Sequence, residues 1–401
     1  MSEFLKVLTF QEAQALLKIN FPEPMVEYQP LERCRGRILA ADIISPEHMP
    51  AFDRSTVDGY VLRAEDTFGS SETLPGMLAH RGEIEMGLEA SFELKKGQCA
   101  WIPTGGMLPS GSNAVVMVEY TETLGDTILI FRPVAPGENV MHRGEDVSQG
   151  DPILYKDTIL QAQHIGLLAS LGISSLPVIK PYHVGVLSTG NEIIPIEQEP
   201  RLGQIRDVNT YALAAALESY GACPRRYPVV KDNQASLRRA MESALEENDL
   251  LIISGGSSVG AADFSIDVML SFPEAEMLFH GIAVKPGKPT IGVRIGEKLV
   301  IGLPGHPVSA LMVFNILCAP LISSAAVKKV EAVCSINLAS QPGRDDFVPV
   351  KLEAKAVGWY ARPLLGKSGL MSILAQADGY IHLPYEIQGI AAGERVTVNL
   401  F

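Results

Sequence analysis

The chain has 401 residues, 47% of them hydrophobic and 20% charged, a globular composition spread over more sequence than one ordinary core accommodates, so several domains are expected. Its formal net charge of −13 disfavours nucleic acid and anionic membranes as general partners, since both select basic surfaces. A small anion held by a few lysines and backbone N–H groups stays compatible with it.

Five cysteines (Cys34, Cys99, Cys223, Cys318 and Cys334) are scattered and form no CxxC pair, which reads as buried thiols of a reducing compartment. The start, MSEFLKVLTFQEA, shows no basic segment followed by an apolar run, and no apolar stretch reaches the length of a membrane span. A cytoplasmic protein is expected.

Residues 8–19 carry apolar side chains at helical spacing behind Thr9, an N-cap, and predict a short amphipathic helix. From about 45 to 150 short strand-like runs alternate with turns, a β-rich module. The stretch 159–172 then predicts a helix closed by Gly172. Beyond about 181 the texture is α/β, with strands at 183–187, 226–230, 249–253 and 299–302 and helices at 208–220, 233–246 and 307–326. That alternation predicts a parallel sheet with helices on both faces. The tail, 328–401, returns to β texture. The expected fold class is therefore α/β plus β, in three regions: an N-terminal region 1–178 containing the β module, an α/β domain 179–327 and a C-terminal β domain 328–401.

Ligands of doubly wound sheets bind outside the carboxyl ends of the strands, and three such ends here run into small residues. They are Ser188-Thr189-Gly190-Asn191-Glu192, Ser254-Gly255-Gly256-Ser257-Ser258-Val259-Gly260, and Leu303-Pro304-Gly305-His306-Pro307 with Ser309 beyond it. One such loop is first of all a turn; three on one edge predict a crevice shaped for phosphate or another oxyanion. Glu192, Asp207, Asp232 and Asp263 fall on the same edge, and carboxylates beside a phosphate loop suit Mg²⁺, although each alone is as well explained as a helix cap. In Val284-Lys285-Pro286-Gly287-Lys288-Pro289 the prolines and glycine exclude a helix, so two lysines are expected on a fixed loop, placed to neutralise an oxyanion. No GxxxxGK[ST] and no GxGxxG occurs, which disfavours a P-loop kinase or a Rossmann dehydrogenase.

These segments, together with FDRSTVDGY at 52–60, Pro103-Thr104-Gly105 and Arg143-Gly144-Glu145-Asp146, resemble the molybdopterin molybdenumtransferases, relatives of the C-terminal domain of gephyrin, along essentially the whole chain. The resemblance implies an elongated homodimer with its active site between subunits. It implies adenylylated molybdopterin and molybdate as substrates, AMP as product, an assisting divalent cation, and a molybdopterin adenylyltransferase acting upstream. By the same resemblance Asp58, Glu192, Asp232, Asp263, Lys285 and Lys288 would be catalytic, with the cation on Glu192, Asp232 and Asp263. Substrate would be held by Thr104, Ser188, Thr189, Gly190, Ser254, Gly255, Gly256, Pro304, Gly305, His306 and Ser309, and by Ser368 and Ser372 of KSGLMSIL. The chain departs from the family pattern at His306, where many relatives carry Asn, and at Asn191, where they carry Asp. His306 opens the reading that tungstate is the preferred oxyanion. A molybdopterin adenylyltransferase would share the α/β domain, but the β regions speak against it. A gephyrin-like scaffold would not need the full set of carboxylates and lysines.

Overall fold

In the computed structural model, residues 7–255, 262–323, 327–356 and 358–401 are described, the side chains of 262–264 excepted. The chain divides into two compact units, one formed by residues 28–178 and the other by 1–27 with 179–401.

The second unit is built on a six-stranded sheet of β1 (His183–Ser188), β2 (Cys223–Arg226), β3 (Leu250–Ser254), β4 (Ala275–His280), β5 (Ile291–Ile295) and β6 (Lys298–Leu303), in the order β2-β1-β3-β6-β5-β4. The β2-β1-β3-β6 part is parallel, as alternating strands and helices predict. The β6-β5-β4 part is antiparallel. Strands β4 and β5 do not stand out in the sequence, because a mixed apolar and charged run such as Ala275–His280 carries no clean period. In β3 every residue is buried, and neighbours point to opposite faces. Leu250 and Ile252 pack with Leu213, Leu217, Met312 and Val313 on one face. Leu251 and Ile253 pack with Leu237, Met241 and Ile266 on the other. Helices thus cover both sides.

The structure departs from the sequence expectation at three places. The strand expected at 226–230 lies at Cys223–Arg226, and Val230 makes only an isolated bridge to Thr189; Pro228 interrupts the run with no N–H to give. The helix expected at 307–326 is α over Pro307–Val313, π over Phe314–Cys318 and α over Ala319–Ile322, while 324–326 lie outside the described residues. The expected lysine loop begins as a strand: Val284–Lys285 pairs in parallel with Asp345–Asp346.

Asp345 and Asp346 open the longest strand of the tail. That strand, Asp345–Lys355, is followed around a ring by Gly358–Pro363, Lys329–Cys334, Arg395–Leu400 and Gly379–Leu383, which pairs back to Asp345–Lys355. The result is a closed five-stranded barrel, which leaves no unpaired edge within the ring. Asp345 is fully buried, and its Oδ1 lies 2.6 Å from Nε2 of His382, whose ring stacks on Phe347. The N-terminal segment joins the same place. Leu8 bridges Ile282, and Phe10 of helix Phe10–Ile19 packs edge-on against Phe347.

The other unit holds a six-stranded sheet in the order Ala114–Met117, Gly59–Leu62, Gln98–Ile102, Gly76–Glu83, Thr127–Ile130, Thr121–Leu124. It is antiparallel except between Gly76–Glu83 and Gln98–Ile102.

Thr9 caps helix Phe10–Ile19 through a reciprocal box. Its hydroxyl accepts from Glu12 N at 3.3 Å, and the Glu12 carboxylate accepts from Thr9 N at 2.9 Å. Thr9→Ala should destabilise the protein by about 1 kcal/mol, and Thr9→Ser by much less. Denaturant unfolding of the two variants measures the difference.

Candidate functional site

Register places the candidate site. Ser188 of β1 lies opposite Ser254 of β3, and Ser254 opposite Leu303 of β6. Three adjacent parallel strands therefore end at one height and release their loops side by side.

The first loop is tied to the β3 end and to Asp232. Thr189 N donates to the Ser254 carbonyl, the Thr189 hydroxyl donates to Asp232 Oδ1 at 2.8 Å, and Asn191 N donates to Asp232 Oδ2 at 3.2 Å. Asp232 thus shapes the 189–191 turn, and among the described residues two of its roughly four lone-pair sites remain open. Glu192 is exposed and folds over Gly190, its two oxygens 2.9 and 3.0 Å from where a Cβ on that glycine would begin. Gly255 has φ +105°, and a Cβ there would lie 2.1 Å from the Thr189 carbonyl oxygen, so only glycine lets the β1 and β3 loops approach this closely. Gly256 and the rest of that loop through residue 261, and the side chain of Asp263 in helix Ala262–Leu270, lie outside the described residues.

Asp207, read from sequence as one of four edge carboxylates, is taken up in the scaffold. It is 6% exposed; Oδ1 accepts from the Ser188 hydroxyl at 3.0 Å and from Thr210 N at 3.2 Å, and Oδ2 from the Thr210 hydroxyl at 2.5 Å. Two residues on, buried Asn209 spends its amide nitrogen on the Ser254 hydroxyl at 2.6 Å and the Gly305 carbonyl at 2.8 Å. Sequence reading passes over Asn209; its only signal is the Asp-x-Asn spacing before a helix, which looks like ordinary capping.

The third loop meets residues of the tail and the lysine segment. Gly305 and His306 are exposed, Pro304 and Ser309 buried. Val308 N donates to the Ser368 carbonyl at 3.1 Å, and a Cβ on Gly369 would sit 3.9 Å from the His306 ring. Helix Met371–Gln376, which carries the exposed Ser372, packs on helix Pro307–Val313. Gly287, at φ +117°, presses on the same helix: its Cβ would fall 2.2 Å from Val313 Cγ2. Lys285 and Lys288 flank that contact and are exposed, with no ion-pair partner among the described residues. The segment that carries these two lysines therefore packs on the end of the helix that follows Pro304-Gly305-His306.

Asp58 and Thr104 belong to the other compact unit. Asp58 Oδ1 accepts from Thr104 N at 2.7 Å and from its hydroxyl at 2.9 Å. The backbone N–H first, and the hydroxyl second, hold this exposed carboxyl below its usual range. Around it, Gly105 N donates to the Ser55 carbonyl and Ser55 N to that of Gly106, while Arg54–Ser55 pairs with Val140–Met141. The sequence motifs at 52–60, 103–105 and 143–146 thereby meet at one end of the sheet.

In the second unit, loops leave one edge of a parallel α/β sheet beside a segment that carries two exposed lysines, which defines a class: a multidomain protein whose α/β domain can offer an anionic ligand backbone N–H groups and positive charge. Comparison with known proteins makes the class specific. The "MoeA N-terminal region (domain I and II)" family matches residues 8–172, the "Probable molybdopterin binding domain" family residues 185–324, and the "MoeA C-terminal region (domain IV)" family residues 331–401. The chain is 33% identical over 412 residues to the molybdopterin molybdenumtransferase of Haemophilus influenzae, covering 98% of this chain and 99% of that one. It is 31% identical to the enzyme of that name from Bacillus subtilis, over 93% and 89%. The crystal structure of the molybdopterin biosynthesis MoeA protein of Pyrococcus horikoshii superposes with a TM-score of 0.87 at 38% identity, covering 98% and 99%. The chain belongs to the MoeA family, the molybdopterin molybdenumtransferases of molybdenum-cofactor biosynthesis.

Two measurements test the geometry. Gly287→Ala should disturb the lysine segment, since both its φ and the Val313 contact oppose a side chain; oxyanion binding by calorimetry should weaken several-fold more than in an exposed control such as Gly203→Ala. Thr104→Val should raise the Asp58 titration midpoint towards the ordinary carboxylate value. Because the folded-state pKa is depressed, the stabilisation from this pair is present above the unfolded pKa and is lost as pH falls through the folded value. A ¹³C-carboxyl NMR titration of the two proteins reads the shift.

Proposed function

We propose that this protein inserts molybdenum from molybdate into adenylylated molybdopterin and releases AMP. The observation that carries the reading is that β1, β3 and β6 end level in small residues, with two exposed lysines on the segment that leaves β4 at the same edge. The whole-length likeness to named molybdopterin molybdenumtransferases supports it.

In this reading Lys285 and Lys288 neutralise the tetrahedral dianion and the phosphates, supplying fixed positive charge where negative charge gathers. Gly255, Gly305, His306, Ser368 and Ser372 line the substrate's path, with Gly256 assigned to it from the sequence alone, while the buried Ser188, Thr189, Gly190, Ser254, Pro304 and Ser309 support these loops from behind. Glu192, Asp232 and Asp263 orient the adenylate for cleavage. A divalent cation such as Mg²⁺ fits the donors described here: Glu192 is exposed over Gly190, and Asp232 keeps lone pairs after accepting from Thr189 and Asn191. No group of three or more candidate metal ligands gathers among the described residues; a Mg²⁺ ion is commonly held by one or two carboxylates plus substrate phosphates. Such a cation would offset charge on the leaving phosphate.

Asp58 and Thr104 would complete the site of a second subunit, which makes the working form a homodimer. The domains are proposed at 1–178, 179–327 and 328–401, and the working compartment as the cytoplasm, where a molybdopterin adenylyltransferase would supply the adenylylated substrate. No helix among the described residues is long and apolar enough to cross a membrane.

Purified protein given adenylylated molybdopterin, Mg²⁺ and molybdate should release AMP only when the oxyanion is present. Lys285→Ala should cut the rate by roughly 100-fold or more, the scale for losing one oxyanion-stabilising group. AMP release that ignores molybdate would sink the reading. The exposed His306 ring beside the Ser368–Gly369 turn favours a second reading, tungstate as the preferred oxyanion, and a tungstate arm of the same assay, repeated with His306→Asn, decides it.

A further inference from the structure

The two polar side chains that open helix Asn209–Ser219 touch all three strand ends of the crevice. Asp207 takes the Ser188 hydroxyl at the end of β1. Asn209 takes the Ser254 hydroxyl at the end of β3 and the Gly305 carbonyl beyond β6. Both are more than nine-tenths buried, at 6% and 7% exposure. A carbonyl oxygen only accepts, so the nitrogen of the Asn209 amide must face Gly305. Both amide hydrogens are then spent, and the Ser254 hydroxyl is left to donate towards the Pro304 carbonyl, 3.5 Å away. The network therefore has one direction, from Asn209 to both loops.

We infer that Asn209 is a positioning residue of the oxyanion site: it holds the Gly305 carbonyl inward and sets the spacing between Ser254 at the end of β3 and Gly305 beyond β6. This rests on the transferase reading of the crevice. Gly305 is exposed, has no Cβ and approaches Gly255, whose Cα would lie 3.6 Å from a Cβ on Gly305. Released from the amide, the Gly305 carbonyl is free to turn outward, and an acceptor oxygen in the crevice repels phosphate and molybdate. Asn209 does not touch the ligand and acts on it through the Gly305 carbonyl and the Ser254 hydroxyl, so binding should suffer before chemistry does.

The test compares Asn209→Asp and Asn209→Ala with Asn248→Ala. The Asp variant keeps the shape but sets a carboxylate against the carbonyl. Asn248 is a matched control, since it is 4% exposed, gives its amide to Tyr227 Oη and the Ala244 carbonyl, and stands at the opposite end of the same sheet. AMP and inorganic molybdate are the probes, measured by calorimetry, with the thermal midpoint recorded for each variant. In the insertion assay, KM for molybdate and kcat are separated. Both Asn209 variants are expected to weaken AMP and molybdate at least ~10-fold, the scale of one hydrogen bond at a charged site, and to raise KM more than they lower kcat. Asn248→Ala should lower the thermal midpoint comparably and leave both affinities near wild type. Equal loss of affinity in Asn248→Ala, or unchanged affinity in the folded Asn209 variants, overturns the inference. Should Asn209→Asp fail to fold, Asn209→Ala decides alone. A wild type that binds AMP and molybdate without releasing AMP refutes the transferase reading, while the two binding affinities still decide the role of Asn209.

Discussion

A parallel ladder in register is the constraint from which the rest follows. Ser188, Ser254 and Leu303 end three neighbouring strands at one level because Val184, Leu250 and Leu299 start them level. Residues buried on both faces leave these strands no freedom to slip, since a one-residue shift would exchange the two cores. The loops inherit that alignment. The same burial creates an obligation: Ser188 and Ser254 are at 0% exposure, and their hydroxyls must find partners inside the protein. Asp207 and Asn209 supply them, and an unpartnered group in their place would cost about 1–3 kcal/mol.

A second dependence runs through the lysine segment. Its strand, Val284–Lys285, is hydrogen-bonded to the barrel and not to the six-stranded sheet from which it departs. At that junction Ala283 N donates to the Leu8 carbonyl and Asp345 N to the Ala283 carbonyl. One oxygen of the buried Asp345 side chain is met by His382 Nε2, while Oδ2 has no hydrogen-bond partner among the described residues. The aromatic stack of Phe10, Phe347 and His382 fills the space around the pair. N-terminal helix, α/β sheet and barrel thus share one joint, directly before the lysines.

The architecture is legible in the sequence where one signal dominates. Thr9 ahead of a helical period marks a real cap, and apolar runs such as Leu250–Ser254 mark strands buried on both faces. Legibility fails where tertiary contacts decide. Nothing local distinguishes Cys223–Arg226, which is mostly exposed, from a loop; it is a strand because β1 offers it an edge. Lys285 is extended because Asp346, far along the chain, pairs with it. In the site, the glycines and lysines can be read because their chemistry is unusual at any position. Asp207 and Asn209 cannot be ranked, because a buried carboxylate in a polar network and a solvated metal ligand look alike until burial is known.

The barrel's closure bears on how such a protein can change over evolutionary time. With the lysine segment stitched to the barrel strand Asp345–Lys355, the orientation of those two charges is a trait carried jointly by two stretches of gene that are far apart in the coding sequence. Recombination that exchanged the tail alone would hand the recipient a foreign seam under its own cationic segment. The barrel and the lysines are therefore bound to travel as one inherited unit, even though the chain writes them apart.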